Sequence, residues 1–147
     1  MVTIRVAVPS DAASILELVK ALAIYEKAEH QVYTKVEDYE QGIQNGLFTV
    51  FVADHPTKGI VGMALCFPYF STWNGKCIYL EDFYVREEER GKGIGKMLFD
   101  EYLKFAKSQN AKLGKWQVLD WNEPAKQFYR KYNVQFFPGW ENAIIKF

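Results

Sequence analysis

Three β-rich runs follow one another in the middle of the chain, and they constrain its fold more than any other feature. Segments 47–54, 60–70 and 77–85 are rich in aromatic and β-branched residues and read LFTVFVAD, IVGMALCFPYF and CIYLEDFYV. The two segments between them, HPTKG and STWNGK, are dense in residues that form turns. Because strands joined by short turns pair antiparallel, the sequence predicts a three-stranded antiparallel meander.

Two helices and a strand are predicted before this meander. Residues 3–8 alternate as a strand does, and Pro9-Ser10-Asp11 then supplies the start signals of an amphipathic helix. Thr34 and Glu37 have the spacing of a capping box, which predicts a second, short helix that ends near Gly46.

Helical and β-like segments also alternate after the meander. Apolar residues recur at helical spacing from Ile94 to Phe105, directly after a charged, glycine-rich stretch. The remaining segments predict a strand at 115–121, a helix at 123–132 with its proline in the first turn, and two closing strands at 134–137 and 143–147. This order predicts an α/β (α+β) protein with a mixed, mostly antiparallel sheet.

The balance of charges argues against a polyanionic partner. Lys plus Arg and Asp plus Glu each count 18 in 147 residues, so no excess positive charge exists to neutralise a nucleic acid or an anionic membrane. Without a long apolar run, we expect a cytoplasmic protein with a single domain over 1–147. Cys66 and Cys77 lie in apolar runs and lack metal-site spacing, so we expect buried free thiols and no metal.

The segment 90–96, RGKGIGK, is the candidate for anion binding. Glycines allow backbone N–H groups to approach a phosphate closely, and the helix that follows directs its positive end at the same point. The segment fails as a P-loop, because Met97 follows Lys96 where Ser or Thr is needed. Its G-x-G-x-G spacing after an antiparallel meander also fails as a dinucleotide fingerprint. The alternative is a plain glycine-rich helix start without a ligand.

With Arg90-x-x-Gly93-x-Gly95 placed after an antiparallel strand, the chain resembles the GNAT superfamily of acetyltransferases, in which such a loop holds the pyrophosphate of acetyl-CoA. The order of the elements is similar as well. The resemblance implies a GNAT fold with a six- to seven-stranded sheet and about four helices. It also implies acetyl-CoA as cosubstrate, no metal, a small-molecule amine as substrate, and a homodimer.

Five further motifs are similar to the diamine acetyltransferases within that superfamily. YLEDF at 79–83, WNEP at 121–124 and the pair Phe128-Tyr129 resemble the whole group, which includes spermidine/spermine acetyltransferases. STW at 71–73, together with VLDWN at 118–122, resembles the thialysine N-epsilon-acetyltransferase branch more closely. Polyamine enzymes carry an acidic residue where Ser71 stands, so a long polycationic substrate is the less favoured expectation.

Glu81 is the candidate base. A lysine-like ammonium has a pKa of about 10.4 and must lose a proton before it can attack a thioester. The resemblance assigns this removal to Glu81 through water, and the alternative is a strand carboxylate that is solvated or paired with a cation. Asp82 should face the opposite side of the strand from Glu81 unless a β-bulge intervenes. Asp82 is the candidate for holding the substrate ammonium.

Tyr129 is the candidate general acid. A thiol has a pKa of about 8.5, so a positioned proton donor assists its departure from the thioester. The resemblance assigns this role to Tyr129, whereas its helical spacing with Ala125 and Tyr132 is equally typical of an ordinary core aromatic. No cysteine nucleophile is needed, since the amine can attack the thioester directly.

The resemblance also implies the binding residues. For the cofactor they are Phe83, Tyr84 and Val85 along the pantetheine arm, Arg90, Gly91, Lys92, Gly93, Ile94, Gly95 and Lys96 at the pyrophosphate, and Asn122, Glu123, Pro124, Ala125 and Tyr129 in a second segment. For the amine substrate they are Tyr25, Glu26, Ser71, Trp73, Glu81 and Asp82. Asn122 is equally suited to cap a helix, and Glu26 to face solvent.

The expected function is therefore acetyl transfer from acetyl-CoA to the primary amine of thialysine, a lysine-like amino acid or a diamine. Acetylation of protein lysines or N-termini is a second hypothesis for an enzymatic function. A non-catalytic module that binds acyl-CoA is a third, and the presence of both Glu81 and Tyr129 argues against it, because binding alone needs neither a base nor an acid.

Overall fold

A computed structural model describes all 147 residues and divides them into two units, residues 1–117 and 118–147. The first unit holds a five-stranded sheet in the order β1-β2-β3-β4-β5. The strands are β1 (Thr3–Val6), β2 (Thr49–His55), β3 (Gly59–Ser71), β4 (Gly75–Val85) and β5 (Leu113–Lys115). Its helices are α1 (Ala12–Tyr25), α2 (Val36–Gln44) and α3 (Ile94–Ser108), and the second unit holds α4 (Glu123–Tyr129).

The predicted meander is confirmed. Strands β2, β3 and β4 pair antiparallel with their neighbours, β1 pairs antiparallel with β2, and only β5 runs parallel, next to β4. The sheet is therefore mixed and mostly antiparallel, as the sequence predicts. The prediction of one domain over 1–147 stays a prediction.

Helices cover both faces of the sheet. Helices α1 and α2 pack with one face in a core that includes Ile15, Tyr39, Val52 and Met63. Helix α3 packs on the other face, where the ring of Phe51 lies 5.4 Å from that of Phe105. Apolar side chains alternate between these two cores along each strand, which is why the central strands contain long apolar runs.

Tyr102 ties α3 to the β4–β5 edge of the sheet. Its hydroxyl donates to the carbonyl of Ile78 at 2.7 Å, and its side chain is fully enclosed. A Cβ atom at Gly114 in β5 would overlap this hydroxyl. Gly114 is therefore needed for close packing rather than for an unusual backbone angle.

The start of α2 differs from the sequence prediction. Lys35 rather than Thr34 is the N-cap, and its backbone N–H donates to the carboxylate of Asp38 at 2.7 Å. Thr34 instead shares a hydrogen bond of 2.8 Å with the hydroxyl of Tyr39. The capping interaction thus lies one residue later than the Thr34–Glu37 spacing indicates, because Tyr39 engages the threonine side chain.

The predicted strand count is too high. Strand β5 ends at Lys115, so the predicted strand over 115–121 covers only the last residue of the observed one, and 134–147 form no strand. The aromatic and branched side chains of this last segment, including Phe137, Trp140 and Ile144, are largely exposed. β-propensity is expressed only where a neighbouring strand completes the hydrogen bonds, and no strand pairs with this segment.

The remaining sequence predictions concern cysteines and membranes. Cys66 and Cys77 are both buried and free, as predicted. None of the helices combines the length and the apolar character that crossing a bilayer requires.

Candidate active site

The candidate site lies on strand β4, where this strand extends beyond its shorter neighbour β5. Strand β5 pairs with β4 only from Cys77 to Tyr79, whereas β4 continues to Val85. Beyond Tyr79 no strand lies along this edge of the sheet. Its backbone polar groups are oriented to pair with an extended, amide-containing chain, as a peptide does when it adds to a sheet edge. Phe83, Tyr84 and Val85 lie on this segment.

The glycine-rich loop ends in an open helix start. Gly91 and Gly93 have φ angles of 76° and 81°, and a Cβ at either would meet no atom within 4 Å. Gly93 is the N-cap of α3, and no side chain caps this helix. The first-turn N–H groups, from Ile94 to Lys96, therefore have no partner within the helix. These features fit a diphosphate, because the uncapped N–H groups and the helix dipole both favour an anion at this position.

The side chain of Arg90 is engaged by the protein. Its Nε donates to the carbonyl of Val85 at 2.9 Å, and its guanidinium lies 5.1 Å from the ring of Tyr25 and 5.2 Å from that of Tyr84. Arg90 thereby connects the end of α1 to β4. The motif predicts a cofactor contact for Arg90. Its contact with Tyr25 could not be predicted from the motif, because Tyr25 lies far away in the chain.

A β-bulge interrupts β4 at Glu81. Leu80 lies opposite Cys66 and Asp82 opposite Leu65, so Glu81 is the additional residue between them. Asp82 therefore shares the α1–α2 face with Leu65, while Glu81 is exposed. The condition that the sequence left open, a bulge that redirects one of the two carboxylates, is met.

Burial, together with the charges of the nearby Glu81 and Glu26, raises the pKa of Asp82 to about 7. The pKa of Glu26, the C-cap residue of α1, is also raised by burial. Glu81 and Glu26 thus both lie close enough to Asp82 to act on its charge, and we call Glu26, Glu81 and Asp82 the acidic cluster. Such a cluster attracts a cation, since an ammonium group between these carboxylates would relieve both burial and like-charge repulsion.

Tyr39 belongs to the surroundings of this cluster, although sequence reasoning did not single it out. Burial raises the pKa of its hydroxyl, and the charges of Asp82 and Asp38 raise it further, whereas the hydrogen bond with Thr34 lowers it. A tyrosine on the apolar face of a short helix gives no sequence signal beyond core packing.

Ser71 and Trp73 lie far from the acidic cluster within this chain. The Ser71 hydroxyl accepts from the backbone N–H groups of Trp73 and Asn74 at 3.3 and 3.1 Å, and it thereby closes the β3–β4 turn. Trp73 is 89% exposed. From Gly75 to Asp82 the strand extends roughly 20 Å at its usual rise per residue. Substrate roles for Ser71 and Trp73 stay predictions.

The second unit presents the remaining predicted residues. Asn122 Oδ1 accepts from the N–H of Ala125 at 3.3 Å and caps α4, and Pro124 lies in the first turn, as predicted. Tyr129 is 6% exposed, and its ring lies 5.6 Å from that of Phe128. The cofactor role of 122–125 and the acid role of Tyr129 stay predictions.

The family of the chain follows from its sequence as a whole. The model of the acetyltransferase (GNAT) family matches residues 14–133, so the chain belongs to this family and is an N-acetyltransferase. Enzymes of the family use acetyl-CoA. The sequence resemblance to GNAT acetyltransferases is thereby confirmed.

Curated relatives place the chain within the diamine and thialysine acetyltransferase branch. A thialysine N-epsilon-acetyltransferase of Mus musculus is 34% identical over 141 residues, which cover 90% of this chain and 83% of that protein. Spermidine/spermine N(1)-acetyltransferase-like protein 1 of Homo sapiens is 31% identical over 134 residues, which cover 86% of this chain and 19% of that protein.

A solved structure has the same fold. The crystal structure of an aminoglycoside acetyltransferase from an uncultured soil metagenomic sample matches with a TM-score of 0.82 and covers 99% of both chains. At 16% sequence identity, this similarity concerns the fold alone.

Proposed function

We propose that this enzyme transfers an acetyl group from acetyl-CoA to the primary amine of a small molecule of the thialysine, lysine-like or short diamine type. The observation that carries the proposal is the acidic cluster beside the open edge of β4, in which Asp82 has a pKa of about 7. The names of the relatives, which include thialysine and spermidine/spermine acetyltransferases, support the same class of substrate.

Asp82 and Glu26 hold the substrate ammonium in this proposal. Both carboxylates are partly buried, and the pKa of each is raised by burial, which indicates that no cation of the protein stabilises their charge. A bound ammonium supplies the missing countercharge. Tyr25, which precedes Glu26 and stacks on Arg90, lines the same end of α1.

Glu81 removes the proton from the bound ammonium through water. The bulge leaves its carboxylate exposed, so water reaches it while Asp82 remains in the partly buried position. The neutral amine then attacks the thioester, the new N–C bond forms, and the C–S bond breaks. Glu81 passes this first proton on to bulk water and then accepts the second proton, which the nitrogen of the adduct releases.

Tyr129 donates its hydroxyl proton to the departing sulfur. Protonation lowers the nucleophilicity of the sulfur and so disfavours its return to the acyl carbon, and Tyr129, which is buried, then regains a proton from water. Acetyl-CoA supplies the activated thioester, so the protein needs only to bind, align and move protons.

The cofactor lies along the open edge of β4 and over the start of α3. Backbone groups of 83–85 pair with the pantetheine amides, and the loop from Arg90 to Lys96 receives the diphosphate, with a further contact from the segment 122–125. The left-handed glycines and the uncapped α3 support this placement. The homodimer and the cytoplasmic location stay predictions, and light scattering on the purified protein tests the first.

The experiment is CoA release from acetyl-CoA with thialysine, lysine, putrescine, spermidine and a lysine peptide in parallel, for the wild type and for Glu81→Gln and Tyr129→Phe. We expect thialysine to have the highest kcat/KM and each variant to lose about 10²- to 10⁴-fold in kcat. Preference for the peptide would favour protein acetylation instead. CoA binding without transfer to any amine would leave only the acyl-CoA-binding module.

A further inference from the structure

Glu89 is a fully buried acid that the sequence motifs do not explain. It closes the 3-10 turn Glu87–Glu89 directly before the glycine-rich loop, and it is 1% exposed. Glutamates are almost never fully buried unless a partner compensates their charge. The neighbouring Glu88, on the same turn, is exposed.

Two lysines from different segments compensate this charge. Lys58 Nζ, from the β2–β3 turn, donates to Oε1 of Glu89, and Lys92 Nζ donates to Oε2 at 2.9 Å. These two hydrogen bonds lower the pKa of Glu89 to about 2, so the carboxylate stays charged at neutral and mildly acidic pH. Lys58 lies 31 residues before Glu89 in the chain, so the carboxylate ties the glycine-rich loop to a distant turn.

The glycine-rich loop has a physical need for such an anchor. Lys92 stands between Gly91 and Gly93, which both adopt left-handed angles and have open space around them. Glycines lose more conformational freedom on ordering than any other residue, so a loop built on them resists a single geometry. The hydrogen bond from Lys92 to Glu89 is the side-chain contact that holds the loop at its middle.

We propose that Glu89 is a positioning residue of the diphosphate site: through Lys92 and Lys58 it holds the loop 90–96 in its binding geometry before acetyl-CoA arrives. The inference rests on the proposed placement of the diphosphate at this loop. An ammonium has three N–H donors, of which Lys92 directs one at Glu89, and its side chain is 53% exposed. Glu89 thereby also fixes where the charge of Lys92 stands.

The direction in which CoA affinity changes distinguishes a positioning role of Glu89 from a simple charge effect. A carboxylate near a diphosphate repels it, so charge alone predicts that removal of the Glu89 charge strengthens CoA binding. Positioning predicts the opposite, because a loop that is ordered only on binding pays its conformational entropy at that step.

Calorimetric titration of the full-length protein with CoA tests this, for the wild type, Glu89→Gln, Lys58→Met and the control Glu88→Gln. We expect Kd to rise about 5- to 20-fold in Glu89→Gln and less in Lys58→Met, since an anchored loop contributes through preorganisation. The double variant Glu89→Gln/Lys58→Met should lose less CoA-binding free energy than the two single variants lose together, because both residues act through one network. Glu88→Gln removes an exposed charge from the same turn and should bind CoA as the wild type does.

Two further measurements exclude general damage. Amide hydrogen exchange in the ligand-free protein should accelerate at 90–96 in Glu89→Gln and stay unchanged in α1. The kcat/KM with S-acetylpantetheine, which lacks the diphosphate, should stay within about twofold of the wild type, since a distant, independent contact is not affected.

Three outcomes overturn the inference. Unchanged or tighter CoA binding by Glu89→Gln shows that the carboxylate does not position the loop, and equal losses with acetyl-CoA and S-acetylpantetheine show a general structural role. Lys58→Met, altered at a half-exposed turn residue, keeps the test valid should Glu89→Gln not fold. Failure of the wild type to bind CoA overturns the proposed function as well, which distinguishes the two failures.

Discussion

Asp82 and Glu89 are two enclosed carboxylates only seven positions apart, and their surroundings shift their pKa values in opposite directions. Asp82, at the β4 bulge, meets burial and the like charges of Glu81 and Glu26, and its pKa rises to about 7. Glu89, at the glycine-rich loop, meets two lysines, and its pKa falls to about 2. One carboxylate lacks a cation within the protein, and the other has two.

The opposite pKa shifts indicate different roles for the two carboxylates. A carboxylate without a countercharge destabilises the ligand-free protein and is stabilised when a cation binds, which suits a substrate amine. A carboxylate that is paired on both oxygens is a fixed structural anion whose charge does not change with ordinary pH. A carboxylate with a strongly raised pKa is a candidate for a functional site, whereas a carboxylate paired on both oxygens can hold neighbouring segments in place.

The largest expected effect comes from removing the unpaired charge. Asp82→Asn should lower kcat/KM for the amine about 10- to 100-fold, because a hydrogen bond to a charged group contributes about 1.5–3 kcal/mol. Steady-state kinetics with thialysine measures this, with Glu40→Gln on the exposed side of α2 as control. Calorimetry should find CoA binding unchanged, and a comparable loss of CoA affinity would contradict the separation of the two regions.

A second effect is the pH dependence of the two binding steps. Protonated Asp82 cannot pair with an ammonium, so the KM for the amine should rise up to about tenfold for each pH unit below 7. Glu26, Glu81 and Tyr39 face the same group, and the raised pKa of Glu26 extends the effect toward lower pH. Glu89 should cause no change in the Kd for CoA between pH 5 and pH 8, because its carboxylate stays charged over this range. A flat amine profile across pH 7 would remove Asp82 from the ammonium site.

Stability should respond with opposite signs. The folded-state pKa of Asp82 lies above its ordinary value of 3.8, so between these two pKa values the folded protein binds more protons than the unfolded chain and loses stability as pH rises. Asp82→Asn should therefore raise the melting temperature at pH 8 by roughly 3 °C and leave it unchanged near pH 4.

Glu89 is the reverse case. Its folded-state pKa lies below its ordinary value of 4.5, so its contribution to stability is fully present above pH 4.5 and is lost as pH falls through about 2. Glu89→Gln should lower the melting temperature both at pH 8 and near pH 4. Thermal unfolding followed by circular dichroism at these two pH values checks both variants. Melting temperatures that shift in the same direction at pH 8 would contradict the proposed contrast between the two carboxylates.

The smallest expected effect concerns Arg90, which lies between the two regions. Arg90→Lys retains the charge but loses the planar stack on Tyr25 and Tyr84, a contribution of about 0.5–1 kcal/mol. The KM for the amine should rise about two- to fivefold. Arg86→Lys, at the Glu17 ion pair, is the matched control. A selective rise in the KM for acetyl-CoA would instead support the cofactor contact that the motif predicts.

The meander was predictable from the sequence because each of its strands finds its partner within a few residues. Short turns after 54 and 70 leave little choice of neighbour, and the alternating cores of α1, α2 and α3 require long apolar runs in β3. The segment 134–147 has a similar composition but forms no strand. Composition reports how well side chains suit a sheet, whereas pairing depends on an available edge.

The site was predictable where its chemistry is local. Gly91 and Gly93 adopt the left-handed angles that suit an anion loop, and Asn122 caps α4, because these features depend on a few consecutive residues. The contacts of Arg90 with Tyr25 and of Glu89 with Lys58 were not predictable, since these partners lie far apart in the chain.

The sequence by itself determined the family, the order of the elements and the residue types at the site, because these follow from local periodicity and motif spacing. The tertiary structure alone decided which carboxylate lacks a cation and which is paired. The bulge at Glu81 moves Asp82 to the face of α1, and the β2–β3 turn brings Lys58 to Glu89. A carboxylate's pKa is set by burial and by charges within a few ångströms, and chain folding decides which charges those are.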